Sequence, residues 1–247
     1  MTHNVPEFSA LWVYLAASPL LGLTMTLCAY VGAHWLYSRS GFSPFVNPVP
    51  IAIAIIALIL VLTGMSYRAY FSGAQFVHFL LGPATVALAI PLARQLPRLR
   101  RSFVPLLGGL LAGSATAMIS AVAIMAWMGG SRALAISIGP KSATVPIAMG
   151  VSEKLGGVPA LTAMMVIATG IFGAMVARHL FDWMHIRGQD VRGLAMGVSS
   201  HGIGTARAFQ VHPEMGAFAG LGMGLNGVLT AFMAPWLIPV ILRVLTN

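Results

Sequence analysis

Acidic side chains are nearly missing from this chain: five Asp and Glu stand in 247 residues, against 14 Lys and Arg. Charge of either sign makes up 8% of the sequence, where a soluble domain carries roughly 25%. That is too little to cover the surface of a water-soluble fold, and 58% of the residues are hydrophobic, with a mean hydropathy of +0.87. The scarcity of carboxylates excludes more. No two acids are spaced as a general acid/base pair, and no Ser/His/Asp constellation is visible. No carboxylate or second histidine stands at ligand spacing from His201, so neither metal nor cofactor is expected. There is no P-loop, which removes an ATP-driven pump, and "HGIGTARA" lacks the βαβ surroundings of a dinucleotide fingerprint. The reading is a protein that is not an enzyme. One cysteine, Cys28, lies in an apolar run; it forms no intrachain disulfide and is expected as a buried structural thiol. The opening residues have no basic n-region, so the first span is expected to act as its own insertion signal.

What the chain does have is long apolar runs. About seven or eight hydrophobic segments follow one another, at 11–36, 49–65, 73–93, 103–128, 133–151, 158–179, 193–210 and 216–243. The expected fold is all-α: a polytopic transmembrane helical bundle, one domain over 1–247. Trp12 and Trp35 bound the first run, and Trp127, Trp183 and Trp236 fall near other ends, as interfacial anchors do. The net charge of +9 does not point to nucleic acid. Half of the basic residues sit in two short connections: Arg94, Arg98, Arg100 and Arg101, then Arg178, Arg187 and Arg192. Short loops rich in Lys and Arg belong on the cytoplasmic side.

Three segments are interrupted. Residues 80–92 contain Gly82, Pro83 and Pro91; "SIGPKSATVPIAMG" (137–150) has Pro140 and Pro146; "GVSSHGIGTARAF" (197–209) mixes glycines with polar side chains. Proline removes a backbone donor and clashes with the preceding turn. Backbone groups freed in this way are tolerated at membrane depth only inside protein or along a wet cavity. If 133–151 crosses the membrane, the two basic connections lie on opposite sides; if it dips in and returns, both are cytoplasmic. A re-entrant segment and a broken spanning helix stay open, and either places unwound backbone at 140–142. "GPATVALAIP" at Gly82, "GPKSATVPIA" at Gly139 and, faintly, "GIGTARAF" at Gly202 resemble one another, a possible inverted repeat of the secondary-transporter kind.

Lys141 is the first candidate. A lysine near the bilayer centre costs roughly 2.5–3.5 kcal/mol, so it either snorkels to the interface or faces a cavity that attracts an anion. Ser142 and Thr144 add hydroxyls, and amides freed after Pro140 would open a half-helix N-terminus, a natural place for a carboxylate. The second cluster is Ser199, Ser200, His201, Gly202, Thr205 and Arg207: a guanidinium fork, an imidazole able to carry a proton, and glycines permitting close approach. A polar loop is the plain alternative. Glu153, beside Lys154, is either a surface pair or a proton-coupling group, as His201 could be. Thr85 and Asn226 are weaker candidates, Asn226 as cavity lining or as hydrogen-bonding glue in the small-residue run "GLGMGLNGVL".

The runs "PKSATVPIAMGVSEKLGG", "ALTAMMVIATGIFGAM", "RGLAMGVSSHGIGTARAF" and "LLGPATVALAIPL" resemble the LrgB/CidB family of bacterial membrane proteins, from about Tyr67 to the end. By that match Pro140, Lys141, Ser142, Thr144 and Pro146 carry over from the first run, and Ser200, His201, Gly202, Thr205 and Arg207 from the last. Gly150 departs from the pattern, where many relatives have an acid, which leaves Glu153 as the acidic candidate. The resemblance implies a multi-pass protein of the bacterial inner membrane. It also implies a small LrgA/CidA-type membrane partner, in a homo- or hetero-oligomer. Two functions follow as expectations. One is secondary transport of a small monocarboxylate such as pyruvate, glycolate, glycerate or lactate, with possible H⁺ coupling. There Lys141 and Arg207 share one pocket. The other is a holin- or antiholin-like pore component that regulates murein hydrolase export and lysis. A regulatory subunit acting only with its partner is a third.

Overall fold

The structure, a computed structural model, describes residues 19–43, 46–80 and 103–246, and between 81 and 102 residues 83, 86, 87, 89–94, 97 and 100. Their regular structure is helical, with no strand among the described residues. Four helices are long and apolar enough to cross a membrane: Leu20–Arg39, Phe103–Trp127, Pro159–Trp183 and Pro213–Leu245; Pro48–Thr63 is apolar but shorter. Of the seven or eight hydrophobic segments expected, these four are the ones that form long spans among the described residues, and the proline- and glycine-interrupted ones fold as described below.

The chain forms two units, Met1–Ala87 and Leu88–Asn247. In the first, α1 (Pro19–Arg39) packs on α2 (Pro48–Thr63) and on α3 (Tyr67–Phe79). Small side chains make this possible: Ala29 and Ala33 meet Ala52, and a Cβ at Gly22 would overlap the Tyr70 carbonyl. The Thr26 hydroxyl and the Tyr70 phenol are 2.8 Å apart. Asn47 caps α2 by accepting from the Val49 amide, and Gly64 ends it in the left-handed region. Cys28 is exposed on α1, not buried as expected; the buried stripe of that helix is taken by Ala29 and Ala33.

The second unit contains α4 (Ala89–Arg94) and three long helices, α5 (Phe103–Trp127), α8 (Pro159–Trp183) and α10 (Pro213–Thr246). Between them stand the interrupted segments. Helices α6 (Arg132–Ile138) and α7 (Val145–Leu155) flank the unwound stretch 139–144. The Val158 amide, just past α7, donates to Ser137 Oγ at 2.8 Å. Eleven residues of helix advance about 16 Å, so a continuous span would carry residue 158 far from 137. The segment therefore doubles back: α7 returns the chain to the end of α6, where Ser137 meets the start of α8, a hairpin of the kind the re-entrant alternative requires.

Helix α9 (Gln189–Val211) is interrupted at His201, where φ is 42° and ψ −133°. Its two limbs, 189–200 and 202–211, also double back. A Cβ at Gly204 would meet the Met196 carbonyl, and Ala208 packs with Met196, Phe181 and Met215. The first limb lies along α10 without intervening side chains: Gly193 faces Met215 and Gly197 faces Ala219. This second hairpin starts from the other end of α8, where Arg192 bridges Asp182. The two hairpins thus enter from opposite ends, framed by α5, α8 and α10. Their weakly similar sequences, "GPKSATV" and "GIGTARAF", contain one tip and directly follow the other.

With the first hairpin doubling back, two crossings, α5 and α8, separate the start of α5 from the connection 178–192, so Arg178, Arg187 and Arg192 fall at the end where α5 begins. The N-terminal part of α5 meets the second hairpin there, through Leu106 and Leu110 against Leu194 and Val198.

Candidate functional site

The two tips meet along the middle of α8. Ala143 of the first packs on Val166. His201 of the second places Nε2 2.8 Å from the Val166 carbonyl. A carbonyl only accepts, so Nε2 carries the hydrogen and Nδ1 is left as the atom able to take a second proton. Close approach is permitted by the α8 sequence: a Cβ at Gly170 would strike the His201 ring, and one at Gly173 would strike Ser200 Oγ. The backbone at His201 lies in a region that favours glycine, although Gly202 and Gly204 follow directly. Such a conformation costs on the order of 1–3 kcal/mol, and the Val166 bond helps to hold it.

Asn226 of α10 ties the arrangement together. Its Nδ2 donates to the Ser142 carbonyl at 2.9 Å and to the Val198 carbonyl at 3.1 Å, one from each hairpin. Its Oδ1 accepts from Ser114 Oγ of α5. All of this is buried: Asn226 is 1% exposed and Ser114 3%. Unwound carbonyls that lipid could not satisfy find their donors here.

Lys141 stands on the first tip, half-buried, with Nζ 3.4 Å from Ser142 Oγ. No ion pair to it is found among the described residues. Thr144 precedes α7 with its side chain making no cap hydrogen bond. The first-turn amides of α7 have no intrahelical partner, so the positive end of that helix opens beside the lysine.

The other expected residues divide. Thr205 is buried behind the tip, donating to the His201 carbonyl at 2.8 Å, and Ser200 is buried against α8. Gly202 is exposed, with only Met223 Sδ close to where a side chain would start. Arg207 is not brought to Lys141. It lies six residues down the second limb, about 9 Å of helix from His201, and lines a separate cavity at the hairpin base with Arg178 and Arg192. The single pocket expected for Lys141 and Arg207 is therefore not the arrangement found, because the chain reverses at His201 and carries Arg207 back towards its starting end. Glu153 is exposed in the last turn of α7, at the other hairpin's base. Thr85 lies outside the described residues. Among the described residues, no three His, Cys, Asp or Glu side chains are grouped to hold a metal ion.

The model of the LrgB-like family matches residues 26–240. The chain belongs to the LrgB-like family. It is 34% identical over 219 residues to the uncharacterized protein YwbG of Bacillus subtilis, covering 89% of this chain and 97% of that one. It is 32% identical over 204 residues to an uncharacterized protein of Haemophilus influenzae, covering 83% and 88%. It is 30% identical over 225 residues to the holin-like protein CidB of Staphylococcus epidermidis, covering 91% and 97%. No solved structure matches the chain. This LrgB-like chain is a multi-pass membrane protein whose two hairpins meet inside its helical frame.

Sequence reasoning missed Ser114 and the α8 glycines. The runs "GGLLAGS" and "ATGIFGA" read as ordinary spanning helix. Their small residues at helical spacing were the available signal for a backbone or side chain packed close by.

Proposed function

We propose that this LrgB-like protein is a secondary transporter of small monocarboxylates of the pyruvate, glycolate, glycerate or lactate type. Residues 1–247 act as one transmembrane domain of the bacterial inner membrane. The observation that carries the reading is the approach of the stretch bearing Lys141 and the uncapped N-terminus of α7 to the turn at His201, both packed on Val166 and both tied by Asn226. A carboxylate between the tips takes the ammonium and the α7 amides as donors, with Ser142 and Thr144 hydroxyls at its edge. Gly202 lets backbone approach the ligand. His201 Nδ1 supplies the proton-coupling atom. A site closed by one hairpin from each side opens to one side at a time when either hairpin moves, which is alternating access. A small LrgA/CidA-type protein is the proposed partner, in a hetero-oligomer.

A second reading is a holin-like pore component, favoured by the printed name of the CidB relatives. Proteoliposomes distinguish the two. The transporter gives saturable exchange of labelled pyruvate or glycolate that discriminates D- from L-lactate, with or without the partner. A pore gives leakage graded only by solute size, and that result ends the transporter reading.

A further inference from the structure

The second hairpin leaves a cavity of about 130 Å³ at its base, between α8 and the two limbs of α9. Three arginines from three different stretches converge on it: Arg178 of α8, Arg192 of the first limb and Arg207 of the second. Its inner wall is apolar, formed by side chains such as Ala174, Met196 and Val211, and Arg207 donates to Gln210 Oε1 at 3.3 Å. Arg192 is held in place: Nε donates to the Ile186 carbonyl at 2.6 Å, a second nitrogen donates to Asp182, and the guanidinium lies 5.6 Å over the Phe181 ring. Asp182 offsets part of the positive charge. Arg178, 3.9 Å from Asp182, keeps its side chain 69% exposed at the edge of the cavity.

We propose that this cavity binds the phosphodiester headgroup of an anionic lipid. Guanidinium groups are planar forks that match phosphate oxygens. Trp183, 77% exposed, marks the interfacial belt at this end of α8. Arg178 stands five residues before it, about 7.5 Å of helix, so the cations lie at headgroup depth. The positive-inside rule assigns this end to the cytoplasmic leaflet, where basic pockets between helices take anionic lipids. The apolar wall decides between the two sources of phosphate: it receives glycerol and acyl carbons, which a free phosphate ester lacks. A bound lipid bridges α8 to both limbs and holds the second hairpin against the frame.

The test uses the purified full-length protein, washed with detergent and presented with phosphatidylglycerol, phosphatidylcholine or free glycerol phosphate. Native mass spectrometry counts lipid retained per chain, and thermal unfolding reads protection. Phosphatidylglycerol is expected to be retained and protective, the other two not. The double variant Arg178→Ala/Arg207→Ala is expected to lose about tenfold in retention, with the Lys pair between. Arg178→Ala alone, at an exposed side chain that risks little in folding, is expected to lose about threefold. Equal retention of phosphatidylcholine, or undiminished retention by Arg178→Ala, overturns the proposal. Protection by glycerol phosphate as strong as that by the lipid assigns the site to soluble phosphates and overturns it too.

Discussion

Asn226 on α10 holds Ser142 on the first hairpin, its side-chain amide donating to the Ser142 carbonyl at 2.9 Å. The same nitrogen reaches Val198 of the second hairpin, so one residue sets the spacing of both tips. Replacing it with Ala leaves two buried carbonyls without these donors and the Ser114 hydroxyl without this acceptor. The expected loss is roughly 2–5 kcal/mol, read as a lowered unfolding midpoint in detergent. Asn226→Asp is expected to be worse, since a carboxylate faces carbonyls where a donor stood. An Asp variant as stable as the wild type would show that the amide is not the clamp.

Opposed hairpins have a topological signature. In a Cys28→Ser background, Ser131→Cys and Lys154→Cys mark the two ends of the first hairpin, and Arg187→Cys and His212→Cys those of the second. An impermeant maleimide applied to intact cells is expected to label both members of the first pair and neither of the second. Labelling of Ser131→Cys without Lys154→Cys would restore a continuous span through 133–151.

How much of this was legible beforehand follows from what each residue type costs in lipid. Lys141 between two prolines, and His201 in a glycine-rich run, announced interrupted helix held inside protein, because neither is tolerated against hydrocarbon. Proline-broken geometry at 139–144 was readable for the same reason. The reversal at His201 was not: the neighbouring glycines are the residues expected to take a positive φ, and here a histidine takes it instead. Missing that reversal sent Arg207 to the wrong end of the segment. Ser114 stayed hidden because a lone serine in an apolar helix ordinarily satisfies itself on its own backbone.

Close packing of the second hairpin on α8 depends on Gly173, where a methyl would meet Ser200 Oγ. Gly173→Ala is expected to destabilise by about 1–3 kcal/mol and to reduce flux. Ser200→Gly in the same chain is expected to restore part of both losses. A double-mutant cycle with purely additive unfolding energies contradicts the contact.

His201 combines a strained backbone with a buried hydrogen bond to Val166. His201→Gly relieves the first and loses the second, so its stability is expected within about 1 kcal/mol of wild type. It is nevertheless expected to abolish the dependence of exchange on an imposed pH gradient. His201→Ala loses the bond without gaining glycine's freedom and is expected to be the less stable. Gradient-driven uptake that persists in the Gly variant places the coupling proton elsewhere.

The central claim is that the Lys141 ammonium at the first tip holds the transported anion, and solute counterflow in proteoliposomes tests it most directly. Wild type and Lys141→Arg are expected to accumulate labelled pyruvate or glycolate against an unlabelled internal pool, while Lys141→Met, equally folded, gives none. Saturable counterflow of wild-type size in Lys141→Met would contradict the account.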